Sequence, residues 1–156
     1  MPHLILDGEF DLPAFAERVR PGVHRWGTAV LKIENLWRRS DDKALLVEGV
    51  VVEHSRAVHP VALVATARGT TSVRLWQGAP VERTPAVQRW LAIIAGEIQN
   101  LGGGSLLTSN IGAEVLAGLE ITAKSEEEQG CGASSERKEQ APPSADHRDL
   151  QQKSRE

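Results

Sequence analysis

Residues 84–102, TPAVQRWLAIIAGEIQNLG, decide how the rest of the chain is read. Thr84 and Pro85 stand at the N-cap and first-turn positions of a helix, and Gly102 stands just past its end, where a left-handed backbone is favoured. Between them Val87, Trp90, Leu91, Ile94, Ile98 and Leu101 recur at helical spacing and make one apolar stripe. The opposite face is unusual. It carries Ala86, Ala92, Ile93 and Gly96, with Arg89 as its main charge, where a helix facing water shows several Lys and Glu. Something is therefore expected to lie against it, either residues 105–121 folded back or another chain. Arg89, Ala92, Ile93 and Gly96 are the candidate interface residues, and the small Ala92 and Gly96, one turn apart, would let a second helix approach closely.

Upstream of this helix the pattern changes to period two, the signature of strands with one buried face. Ala29, Leu31, Ile33 and Trp37 alternate with Val30, Lys32, Glu34 and Leu36, so Trp37 is expected in the core. The segments ALLVEGVVVE and PVALVATA follow, rich in β-branched residues and apolar on both alternating sets, which predicts cover on both faces. SVRLWQ supplies a further strand, closed by Gly78-Ala79-Pro80. Near the N-terminus HLILDGEF reads as a short strand. DLPAFAERV reads as a short helix with Asp11 as N-cap, Pro13 in the first turn and a Phe10–Phe15 staple. Beyond Gly102, residues 105–108 could add a strand and IGAEVLAGLE a last helix capped by Asn110, weakened by Gly112 and Gly118.

Charge and composition narrow the function. Residues 1–123 hold 12 Lys and Arg against 13 Asp and Glu, and residues 124–156 hold 6 against 8. That balance argues against nucleic acid as a partner, because phosphate-binding surfaces show a basic excess or stripe. From Lys124 onward there is one leucine and no Val, Ile, Phe or Trp. Such a segment cannot offset its ordering entropy by burial, so 1–123 is read as a single domain and 124–156 as a disordered polar tail. The lone cysteine, Cys131, gives neither a disulfide framework nor a thiolate metal cluster. The first residues lack the basic and apolar regions of a signal peptide, and no run is long enough to span a membrane, so a cytoplasmic, soluble protein is expected.

Reactive side chains are densest in VVEHSRAVHP, residues 51–60, which holds Glu53, His54, Ser55, Arg56 and His59. The segment spans a strand end, a Ser-Arg turn and the next strand start. A zinc site needs three or four converging ligands, and Glu53 and His54 diverge if the strand persists. The stretch is therefore read as an exposed turn, with no metal site and no catalytic residue assigned. The serines lack a nucleophile elbow. In LGGGS the glycines follow a helix C-terminus and no Gly-Lys-Ser/Thr follows, so a cap and linker, and no cofactor, are expected. Trp90, like Trp37, falls on an expected core face. Trp76 is expected to be exposed beside Arg74. Glu53, His54, His59, Arg74 and Trp76 are therefore the candidate ligand-binding residues.

The expected architecture is α+β, an antiparallel β-meander of four to five strands with a short N-terminal helix and one long C-terminal helix packed on one face. The expected function is that of a non-enzymatic protein-interaction module, a homodimer or a subunit of a larger assembly, with protein as partner. The alternative is a small-molecule-binding protein or hydrolase with a pocket between sheet and long helix, using His54, His59 or Glu53.

Overall fold

In the computed structural model, which describes residues 1–123, the strands and helices alternate as follows. The order is β1 (His3–Asp7), α1 (Leu12–Arg18), β2 (Val23–Trp26), β3 (Ala29–Arg38), β4 (Ala44–Glu53), β5 (Arg56–Val58), β6 (Val61–Ala67), β7 (Thr70–Leu75), α2 (Pro85–Asn100), β8 (Leu106–Ser109) and α3 (Ala113–Leu116). The expected tail, 124–156, lies outside the described residues. Mixed helix and sheet is thus the architecture, but the sheet holds eight antiparallel strands where four to five were expected. The long helix is not terminal either, since β8 and α3 follow it.

The sheet runs β2-β3-β4-β6-β7-β1-β8, with β5 also paired to β4. The N-terminal strand is inserted between β7 and β8, antiparallel to both, so the first and last strands of the fold are neighbours. β5 and β6 lie on the same side of β4, at Val51–Glu53 and Ala44–Glu48 respectively, with His59 and Pro60 between them. Pro60 has no N–H to give, and its carbonyl accepts from Gly49 N at 3.0 Å, which breaks one strand path into two.

Alternation places Leu4 and Leu6, Leu31 and Ile33, Leu45 and Val47, Ala62 and Val64, and Val73 and Leu75 on the concave side of the curled sheet, all buried. Into that concavity goes α2. Its N-cap forms as expected, with Val87 N donating to Thr84 Oγ1 at 3.3 Å, and its end is closed by Gly102 at φ 100°. The short helix also forms as expected. Ala14 N donates to Asp11 Oδ1 at 3.0 Å, and the Phe10 and Phe15 rings meet edge to face at 6.3 Å.

Eleven of the sixteen residues of α2 are buried, on every side of the helix. The weakly charged face is therefore covered within the chain, and only its role as an interface with another copy needs correcting. Ile111, Val115 and Ile121 come from the segment after β8, which folds back over the weakly charged face, and Ile121 lies 3.9 Å from where a Cβ on Gly96 would stand. This was one of the two covers the sequence allowed. Asn110 does not cap the last helix. It clamps β1, accepting from His3 N at 2.8 Å and donating to the Met1 carbonyl at 2.7 Å.

The convex face of the sheet is different. Along β4 and β6 the residues between the buried ones are only half-buried, among them Leu46, Val50, Val52, Val61 and Leu63. Cover on both faces was expected there, and the described chain supplies it on one. Among the described residues no helix is long and apolar enough to cross a membrane.

Candidate functional site: the convex sheet face

Cross-strand register builds the site row by row. Trp37 on β3 stands opposite Leu46 on β4, Leu46 opposite Leu63 on β6, Leu63 opposite Arg74 on β7, and Arg74 opposite His3 on β1. One row beside it, Ala44 faces Ala65 and Ala65 faces Ser72. Side chains in one row share a face of the sheet, so an apolar stretch crosses the convex surface from Trp37 to Leu63 and meets a cation at Arg74.

Trp37 was expected in the core and is instead 58 % exposed. The reason is a bulge. Ile33 pairs with Gly49, but the next paired residue, Leu36, meets Val47, so β3 advances three residues while β4 advances two. One extra residue inverts the faces beyond it. Leu36 therefore turns inward against the core and Trp37 turns outward.

Trp76 is 40 % exposed, beside Arg74 as the sequence indicated. It lines two adjoining depressions that share Leu63. One, of about 330 Å³, runs to Trp37 and Leu46. The other, of about 600 Å³, runs over Ser72 and Arg74 to His3 and Ile5. Gly78 allows the ring to lie where it does, because a Cβ there would stand 2.6 Å from Trp76 Cζ2. Arg74 is exposed and makes no ion pair among the described residues. Arg38 and Arg39, by contrast, are engaged by Asp42 and Asp41. The Arg39 guanidinium and the Lys43 amide hold the Asp41 carboxyl down at about 2.

The other sequence candidates lie elsewhere. Glu53 and Arg56 pair across a two-residue hairpin whose tip is His54 and Ser55, both left-handed at φ 50° and 61°. Glu53, His54 and Arg56 line a depression of about 170 Å³ with Glu82 and Thr84, while His59 lies apart, between β5 and β6. No group of three or more His, Cys, Asp or Glu among the described residues could hold a metal ion. The backbone of this tip favours glycine, because a Cβ in the left-handed region crowds the carbonyl. Ser55→Gly is accordingly expected to stabilise the protein by about 0.5–1 kcal/mol, net of the added freedom of the unfolded chain. A thermal melt checks this, and an unchanged or lower midpoint would show that the turn carries no such strain.

The expected interface residues are inside the molecule. Ala92, Ile93 and Gly96 are buried beneath residues 111–121, and Arg89, 8 % exposed, donates from Nη1 to the carbonyls of Val115 at 2.6 Å and Ala117 at 2.7 Å. Its guanidinium also lies over the Trp26 ring, 5.8 Å from the centroid. Burial pushes its pKa down from the usual value. Sequence reasoning missed Trp37 as a surface residue, and only the bulge distinguishes it from a core tryptophan. Comparison of the chain with protein-family models, with curated proteins and with solved structures found no match.

Proposed function

We propose that this chain is a non-enzymatic protein-interaction module, acting as a homodimer or as a subunit of a larger assembly, and that its contact surface is the convex sheet face. One observation carries the reading. The described residues enclose the long helix on all sides yet leave Trp37, Leu46, Leu63 and Trp76 together on the outside of the sheet. Contiguous exposed apolar surface of this kind marks sites that another molecule covers, and tryptophan is enriched where protein interfaces hold most of their binding energy.

The interior gives less support to a ligand pocket between sheet and helix. That interval is filled by Trp90, Leu91, Ile94 and Ile98 against Leu31, Ile33, Leu45 and Val47. No buried side-chain nitrogen or oxygen among the described residues is left without a hydrogen-bond partner to greet a substrate.

Leu63→Asp tests the reading at the centre of the face. Leu63 is half-buried, so the variant is expected to fold, and its melting midpoint reports whether it does. Used as baits under native expression, the wild-type chain should retain a stoichiometric protein partner, itself or another, and the variant should lose it. Equal recovery by the two folded baits would place the contact surface elsewhere, and no partner for either would remove the reading.

A further inference from the structure

We infer that the partner on the convex face is a second copy of this chain, docked about a twofold axis that runs parallel to the strands midway between β4 and β6. The inference rests on the interaction reading above and adds to it the identity of the partner and the pairing of residues. Face-to-face contact between two copies needs an axis lying in the contact plane. An axis along the strands sets β4 of one copy over β6 of the other, and β3 over β7.

The row read from the register is self-complementary under that operation. Leu46 comes over the second copy's Leu63, and Ala44 over its Ala65. At the ends of the row, Trp37 comes over the second copy's Arg74, and the reverse. Each of these end residues lacks what the other offers. Trp37 presents an aromatic face that is more than half exposed, and Arg74 is a cation with no ion pair among the described residues. A guanidinium stacked on an indole satisfies both, and desolvation in an interface strengthens the contact.

Side-chain length fits as well. The sheet curls around α2, so two convex faces touch at their centres and diverge towards their flanks. Ala44, Ala65 and the two leucines are short and lie at the centre. Trp37 and Arg74 are long and lie one strand further out on either side, where the gap to be bridged is wider. An axis across the strands through this row would instead set Arg74 against Arg74, with like charges opposed. The bulge in β3 is what delivers Trp37 to this position.

Sedimentation of the full chain at micromolar concentration is the test, with circular dichroism to show that each variant folds. The wild-type chain is expected to be a dimer. Trp37→Arg sets arginine against arginine at both ends of the row and should weaken the dimer at least tenfold. Adding Arg74→Glu to that variant creates an arginine–glutamate pair in each end position and should restore most of the loss. Within one chain the two positions lie three strand spacings apart, about 14 Å, so the rescue cannot arise internally. A wild-type monomer over the whole range would overturn the second copy as partner, while a different protein held by wild type and lost in Leu63→Asp would leave the interaction reading in place. A dimer that Trp37→Arg leaves intact, or that the double variant fails to restore, would overturn this pairing.

Discussion

Gly49→Ala is expected to destabilise the fold by roughly 4 kcal/mol, enough to lower the melting midpoint by more than about 10 °C in a domain of this size. Gly49 lies at the concave surface of β4, opposite Ile33, and the Trp90 indole is laid directly upon it. A Cβ there would fall 2.6 Å from Trp90 Cε2 and would also run into the carbonyl oxygen of Lys32. Neither neighbour can give way cheaply. The carbonyl belongs to the adjacent strand, and the indole is fully buried and anchored by its own hydrogen bond, Nε1 donating to Lys32 O at 3.0 Å. Overpacking at a rigid site costs about 1–3 kcal/mol, and displacing the indole forfeits a hydrogen bond worth about 1 kcal/mol net. Trp90→Phe should relieve part of this by removing the ring atoms above Gly49. The double variant is therefore expected to be less destabilised than the sum of the two single ones. Chemical denaturation of the three variants checks it, and simple additivity would show that the indole does not set the requirement for glycine.

The contact between Gly49 and Trp90 also shows where the sequence was readable. Trp90 was legible as a core residue because it lies on a stripe repeated over four helical turns, bounded by a capping threonine, a proline and a terminal glycine, all local signals. The tryptophan at position 37 carried the opposite lesson. Its place in the alternation Ala29, Leu31, Ile33 pointed inward, and nothing in Glu34-Asn35 marks the extra residue that reverses the face. Periodicity is a statement about an unbroken strand, so a bulge is invisible to it until the partner strand is known. β2, VHRW, was missed for a related reason, and β5, RAV, was read only as the start of the next strand. Four and three residues are too few to show a period, and they became strands because β3 and β4 offered them an edge. In ALLVEGVVVE, apolar side chains on both alternating sets suggested two covered faces, whereas the described residues cover one and leave Leu46 beside Leu63 on the other. At the candidate site, then, Trp76 and Arg74 were legible from alternation in a short uninterrupted strand. The row that joins them to Trp37 was not, because it is made by pairing four strands.

Arg89→Ala is expected to cost about 3 kcal/mol and to loosen residues 111–121 before the rest of the fold. The sequence marked Arg89 as the one strong charge on an otherwise small and apolar helix face, and the structure shows what the charge does. It lies between α2 and the final segment and donates to two carbonyls at the end of α3, Val115 and Ala117, with the Trp26 ring on another side. Among the described residues it makes no ion pair. The guanidinium is held by carbonyl dipoles and a π face, and burial lowers its pKa accordingly. Hydrogen bonds from a charged donor are worth about 1.5–3 kcal/mol each, and removing the donor leaves two carbonyls facing a new cavity. Water entering that cavity recovers part of the loss, which brings the net figure near the lower end of the sum. Arg89→Met separates packing from charge, since it keeps the aliphatic stem and removes the donors. It should recover only a minor share of the stability. Hydrogen exchange gives the spatial readout. Amides of Val115, Leu116, Ala117 and Leu119, which bond within this segment, are expected to lose protection in Arg89→Ala while those of β4 and β6 change only by the global amount. The exposed helix face would then consist of Ala92, Ile93 and Gly96, so the same variant should also become prone to self-association at a surface the wild-type chain conceals. Uniform loss of protection across the sheet, or none in residues 115–119, would show that Arg89 does not fasten the final segment to the long helix.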